Sequence, residues 1–477
     1  MGFHTWTTNS LSPLVSEAAL GGLPSRFQEL LPADFFDQAQ TDTGDKRNNS
    51  VYSPLVVLWL LVAQRLSGGA SLETAVLELL RGPPASFWPH PCKRIRQWRE
   101  HGKTPSSNTG AYNQARQALP LSLVQKSCDR IFQQLFAQMA PPVSEGATRA
   151  FLLDGSSMRC AHTPELCKTF PPGSNQHGAS HWPLIRILVA HELETGLAMR
   201  PEWGAMHGGE AVSEQALLER AITRLPDGST VIGDANFGVF SVAYVAPQRG
   251  HPVLLRLSAP RAQRLAEETL RDGIDRRVVW KPSREERRTH PELPADASVS
   301  GRLLVRRVQP NNGGAAFLLA FFTTLPSSAD KVYELYGKRW AIETDLRQLK
   351  QTLGLDQPTC STPDMVAKEI EVGIIAYNLV RALIGLAAQQ SGIPPRGYRF
   401  TKVRRILQTF GAALANAPDQ HTAQRILDQI MIYVQQSPLP RRTHKRPSYP
   451  REVWKRGETF PSHKQSLPSI PPKTMRH

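Results

Sequence analysis

Three carboxylates and a set of cations stand at spacings that suit phosphoryl-transfer chemistry. In "YELYGKRWAIETDLRQLKQTLGLD", residues 333–356, Tyr336, Arg339, Glu343 and Lys350 recur at gaps of three, four and seven. At about 100° per residue they share a helical stripe roughly 60° wide. Ile342, Leu346, Leu349 and Leu353 gather on the neighbouring stripe, so the spacing predicts one long helix with one flank buried and the other at a cleft rim. Two aspartates far upstream fit the same chemistry. Asp154 in "AFLLDGSS" and Asp234 in "TVIGDANFG" each follow a short apolar run that reads as a buried strand. Two strand-end aspartates and a helical glutamate are a donor set for a pair of Mg²⁺ ions, which take carboxylate and phosphate oxygens. Two such ions stabilise the attacking and leaving oxygens of an in-line displacement. Asp154 would bridge them, with Asp234 and Glu343 completing one each; Arg339, Lys350 and Tyr336 would meet DNA phosphates. Taken singly, the aspartates also fit strand-end turns, and Glu343 with Arg339 and Arg347 fits a surface ion-pair ladder.

The elements that must hold these residues follow from the patterning. Residues 53–66 and 71–81 read as two helices joined by "SGGA", with Ser71 as N-cap; a DNA-reading helix-turn-helix and a plain packed hairpin are both open. A Pro-rich break at 83–91 precedes the basic "KRIRQWREHGK", and Pro120 divides two further helices. From 147 the texture changes to strand, hairpin about Thr195-Gly196, helix and strand, which predicts a mixed α/β sheet. Four β patterns then run from about 250 to 326, before the Glu343 helix and a long, mostly buried helix at 365–390. The expected domains are a helical N-terminal DNA-binding domain at 1–145 and a first catalytic part at 146–250. A β-rich insertion at 251–326, a second catalytic part at 327–436 and a basic, Pro-rich tail at 437–477 follow.

Composition agrees with a nucleic-acid partner. Among 477 residues, 57 Lys+Arg face 41 Asp+Glu, a formal charge of +16, and such an excess favours a polyanion. The run "LVVLWLLVA" is too short to span a bilayer, and no signal-peptide pattern opens the chain. Five cysteines at scattered spacings predict reduced thiols. The expected location is therefore cytoplasmic, nucleoid-associated through DNA, with no membrane partner. Cys160, His162 and Cys167 lack a fourth zinc ligand at a plausible spacing.

At these residues the chain resembles the DDE transposases of bacterial insertion sequences, specifically the insertion-sequence-four family. That family carries Tyr-x(2)-Arg-x(3)-Glu-x(6)-Lys, matched by Tyr336, Arg339, Glu343 and Lys350; "LLDGSS", "IGDANFG", the Arg339-Trp340 pair and "STPDMVAKEIEVGIIAYNLVRAL" are also similar. The resemblance covers roughly 53–390. It implies an RNase H-like mixed sheet with flanking helices, interrupted by a β-strand insertion and preceded by a helical domain. It further implies Mg²⁺-dependent cleavage at terminal inverted repeats, with Mn²⁺ as a substitute, and joining of the 3′-OH ends to target DNA. The site would be Asp154, Asp234 and Glu343, with Tyr336, Arg339, Trp340 and Lys350 on DNA, and a homodimer would synapse the two ends. An RNase H-like nuclease that does not join strands, and a catalytically idle DNA-binding repressor, are the competing readings. One departure concerns the last insertion strand, "FLLAFFTTL", which lacks the tryptophan that some relatives stack on a flipped base. Trp280 or a phenylalanine is the possible substitute, against a plain core role.

Overall fold

In the computed structural model, residues 27–43, 50–81, 85–140, 148–175, 178–309, 315–415, 417 and 419–440 are described. Residues 1–308 and 317–439 belong to one compact unit; the remainder, 309–316 and 440–477, is a second. The helical first part holds α1 (Ala33–Thr43), α2 (Pro54–Leu66) and α3 (Leu72–Leu80). Pro54 opens α2 where no backbone donor is needed, and Leu55–Val62 are buried on every face. Ser71 caps α3 by accepting from the Thr74 amide at 3.1 Å, as expected. α2 lies in the core, and α3 turns Ala75, Val76 and Leu79 inward and Glu73 outward. The helices α4 (Lys93–His101), α5 (Gly110–Ala118) and α6 (Leu121–Met139) follow, and Pro120 separates the last two. Lys93, Arg94, Arg96 and Arg99 of α4 are exposed.

The sheet begins with β1 (Ala150–Arg159), then α7 (Pro164–Thr169), β2 (Pro172–Asn175), β3 (Gly178–Glu192) and β4 (Glu202–Ala205). The predicted hairpin forms. Gly196 takes φ 73°, a left-handed turn, and β4 returns antiparallel along β3. Next come α8 (Glu214–Ile222), β5 (Thr230–Gly233), α9 (Phe240–Gln248), β6 (Val253–Leu257) and α10 (Ala259–Ala266). The strands β7 (Ile274–Trp280), β8 (Val299–Val308) and β9 (Phe317–Thr323) complete the set, with α11 (Arg284–Thr289) between β7 and β8. The order is β2-β3-β1-β5-β6-β9-β8-β7, with β4 on β3. Since β1, β5 and β6 run parallel while β3 and β9 run antiparallel to them, the sheet is mixed and the fold α/β, as expected. The β-rich segment does not stand apart: β6 belongs to the parallel core, and β9 returns beside it to carry β8 and β7 on the same sheet.

The stretch expected as one helix is broken. It runs as α12 (Ala329–Gly337), a 3₁₀ turn at Lys338–Trp340, α13 (Ala341–Arg347) and a π turn at Gln348–Thr352. Carbonyls freed by the π turn find outside donors: Arg404 Nη1 reaches Thr352 O at 2.6 Å and Arg65 Nη1 reaches Leu353 O at 3.0 Å. Beyond it lies α14 (Pro363–Ser391), capped by Thr362 and closed by Gly392 at φ 72°. This helix is long and apolar enough to cross a membrane, yet 94% of its apolar window is buried inside the protein, against α6, α2, α15 (Phe400–Ala415) and α16 (Gln420–Gln435). Residues 441–477 of the expected tail lie outside the described residues. Ser437 itself is buried, and Leu439 N donates to Gly397 O at 2.6 Å, so residues 437–439 are part of the fold.

Candidate active site

Asp154 does not sit at the end of its strand. β1 continues to Arg159 along β3, but its parallel partner β5 pairs only as far as Leu152 opposite Ile232. Two residues beyond that last pair, in the same register, stand Asp154 and Asp234, where the sheet opens. Neighbouring parallel strands are about 4.8 Å apart, so two carboxylates at matching positions repel one another. Burial and then the charge of Asp234 push the Asp154 carboxyl up to about 6. The Gly155 amide donates to Asp154 Oδ1 at 2.9 Å, and the Asn236 amide to Asp234 Oδ1 at 2.8 Å.

A fourth carboxylate, absent from the sequence reading, lies beside them. Glu214 opens α8, its Oε1 is 3.3 Å from Arg186 Nη1, and its other oxygen accepts from the Asn236 side chain. A Cβ at position 155 would stand 2.7 Å from Glu214 Cδ, which is why glycine follows Asp154. The sequence signal was faint: Ser213, the cap of α8, directly before a glutamate.

The segment carrying Glu343 is held against β1 by Lys350, whose Nζ donates to Ser156 Oγ at 3.0 Å. Arg339 is buried, contributes favourably to the Asp154 carboxylate, and stands 3.6 Å from Glu343 Oε1. Its guanidinium thus lies between the two acidic groups. Glu343 itself is half exposed. Among the described residues, no three His, Cys, Asp or Glu side chains converge closely enough to hold a metal ion. Asp154 and Asp234 occupy matching positions on neighbouring strands, but Glu343, expected to converge on them, is paired with Arg339 instead of completing a three-carboxylate cluster. Trp340 projects outward at 66% exposure, with Arg339 5.5 Å from its ring. Tyr336 is buried against Phe321 at 4.4 Å rather than exposed at a rim, with Arg339 and Asp234 near enough to act on its hydroxyl.

Beneath α13 a buried ionic network fixes the segment. Asp345, fully buried, accepts from Arg381 Nη2 at 2.7 Å and Arg396 Nη1 at 2.8 Å. Burial alone would raise its pKa, but Arg396 and Arg381 outweigh that and hold it below the usual range. Arg381 also donates to Gln348 and Tyr377, and Arg396 Nη2 to Glu192 O, which ties α13, α14 and the β3 hairpin together. The insertion aromatics are core: Trp280 packs edge-on against Phe322 at 5.1 Å, while Phe317 is exposed. Cys160 is buried, so the zinc idea gains nothing.

A hard divalent cation suits two neighbouring carboxylates, and bound there it would offset both the burial and the repulsion from Asp234 that raise Asp154. Asp154 and Asp234 have the oxygen donors such an ion takes, while Glu343 is paired with Arg339 at 3.6 Å.

Comparison with known proteins agrees. Residues 145–379 match the family model described as the transposase DDE domain. The chain is also 26% identical over 383 residues to the transposase InsG for insertion sequence element IS4 of Escherichia coli strain K12, covering 77% of this chain and 81% of that protein. Domains of this family generally use divalent metal ions. These matches support a DDE transposase of the insertion-sequence-four family.

Proposed function

We propose that this transposase binds the terminal inverted repeats of its element, cleaves there, and joins the freed 3′-OH ends to target DNA by two-metal-ion phosphoryl transfer. In the first step water attacks the phosphodiester and the 3′-oxygen leaves. In the second that 3′-hydroxyl attacks a target phosphodiester and displaces its 3′-oxygen. Asp154, Asp234 and Glu343 would hold the ions, and two Mg²⁺, or Mn²⁺ in their place, would supply Lewis acidity at the attacking and leaving oxygens. Arg339, freed from Glu343, and Lys350 contact the phosphates of the bound strand, and Trp340 lies against the DNA from outside. Tyr336 acts from beneath, by holding Arg339 in place.

The observation that supports this reading is the parallel register of β1 and β5, which gives Asp154 and Asp234 matching positions, together with an Asp154 carboxyl raised to about 6 by burial and then by Asp234. The N-terminal domain, through the exposed cations of α4, is the proposed reader of the repeats. A homodimer synapses the two ends, and the protein works in the cytoplasm on nucleoid DNA. The test uses labelled terminal-repeat duplexes with a supercoiled plasmid, with and without Mg²⁺. Joined product that requires Mg²⁺ is expected; cleavage without joining would reduce the protein to a nuclease. Asp154→Asn should abolish cleavage and leave repeat binding intact, and retained cleavage would remove Asp154 from the site.

A further inference from the structure

Beside α13 lies a groove of about 690 Å³, between the π turn and the start of α15. Six cationic side chains line it against one carboxylate, Asp345, which is already shared by the buried Arg381 and Arg396. The other four are exposed: Arg347, Arg399, Lys402 and Arg405. No carboxylate among the described residues pairs with any of these four. A second large groove, between α10 and β7, is less one-sided, because Glu267, Glu285 and Glu286 line it with the cations.

We infer that this groove, lined by Thr344 and Arg347 of the Glu343 segment, holds the sugar-phosphate backbone of target DNA. The inference rests on the proposed joining reaction and adds a second DNA site to it. The polyanion follows from the charge. The choice of target over terminal repeat follows from what is missing at the surface: Tyr398 and Phe400 line the groove but are buried, leaving no ring to stack on a base. Flexible exposed Arg and Lys side chains contact phosphates and read no sequence, which suits a partner without a fixed sequence. Leu439 also lines the groove.

The test is the full-length double variant Arg399→Ala/Arg405→Ala, beside Arg399→Lys/Arg405→Lys. Binding of an unrelated duplex should lose about two units of its salt slope in the alanine variant, as two phosphate contacts would. Strand transfer should fall on the order of tenfold while terminal-repeat binding and cleavage stay at the native level, which also shows that the variant is folded. The lysine variant should keep both. An unchanged salt slope, or repeat binding that falls in step with strand transfer, overturns the assignment. If the native protein cleaves but never joins, the proposed function fails instead, and the salt slope still reports on the groove separately.

Discussion

Asp154 is exposed to two opposing demands: its ionised form is needed to hold a cation, while burial and Asp234 favour the protonated form. A folded-state pKa of about 6 against an ordinary 3.8 means that the metal-free native protein binds more protons than the unfolded chain within that window. Stability from this group is therefore lost as pH climbs from about 3.8 through about 6. Asp234→Asn removes the neighbouring charge and should flatten that loss, measured as Tm against pH with chelator present. An equally steep profile in the variant would show that the two carboxylates do not interact. The aspartates and the glutamate were legible in the sequence because apolar strands and helical gaps frame them. Glu214 was not, since its place beside Gly155 depends on a helix packed over the strand rather than on spacing within either.

At the scale of elements, strands and helices declared themselves through periodicity, whereas their breaks did not. A constant 100° per residue carried Ile342, Leu346, Leu349 and Leu353 correctly into the core, but put Tyr336 at the rim, whereas it is buried against Phe321. The π turn was equally hidden: it depends on donors from Arg65 and Arg404, remote in sequence. The same remoteness applies to Asp345, whose partners Arg381 and Arg396 lie on α14 and the loop after it. Removing that carboxylate strands two buried or half-buried guanidinium groups. Asp345→Ala should therefore cost roughly 3–5 kcal/mol in denaturant unfolding. A cost below about 1 kcal/mol, as for exposed pairs, would mean the network does not hold the Glu343 segment.

Over the whole molecule, one sheet carries both the strands of Asp154 and Asp234 and the β-rich segment, and the apolar window of the long α14 is 94% buried, among α2, α6, α15 and α16. The charge balance pointed to nucleic acid from composition alone; which surfaces meet DNA needed the fold, which gathers Arg347 and Arg399 from separate elements into one groove. Deleting residues 441–477, beyond the anchored Ser437–Leu439, should weaken DNA binding and flatten its salt dependence, read from affinity at several salt concentrations. An unchanged slope would show that this segment touches no phosphate. The proposal of a two-cation centre is tested most directly by anomalous scattering from crystals of the DNA-bound protein soaked in Mn²⁺. The account predicts two peaks about 3.5–4 Å apart, bridged by Asp154 and flanked by Asp234 and Glu343. No peak at Asp154, or peaks ligated by other side chains, would contradict it.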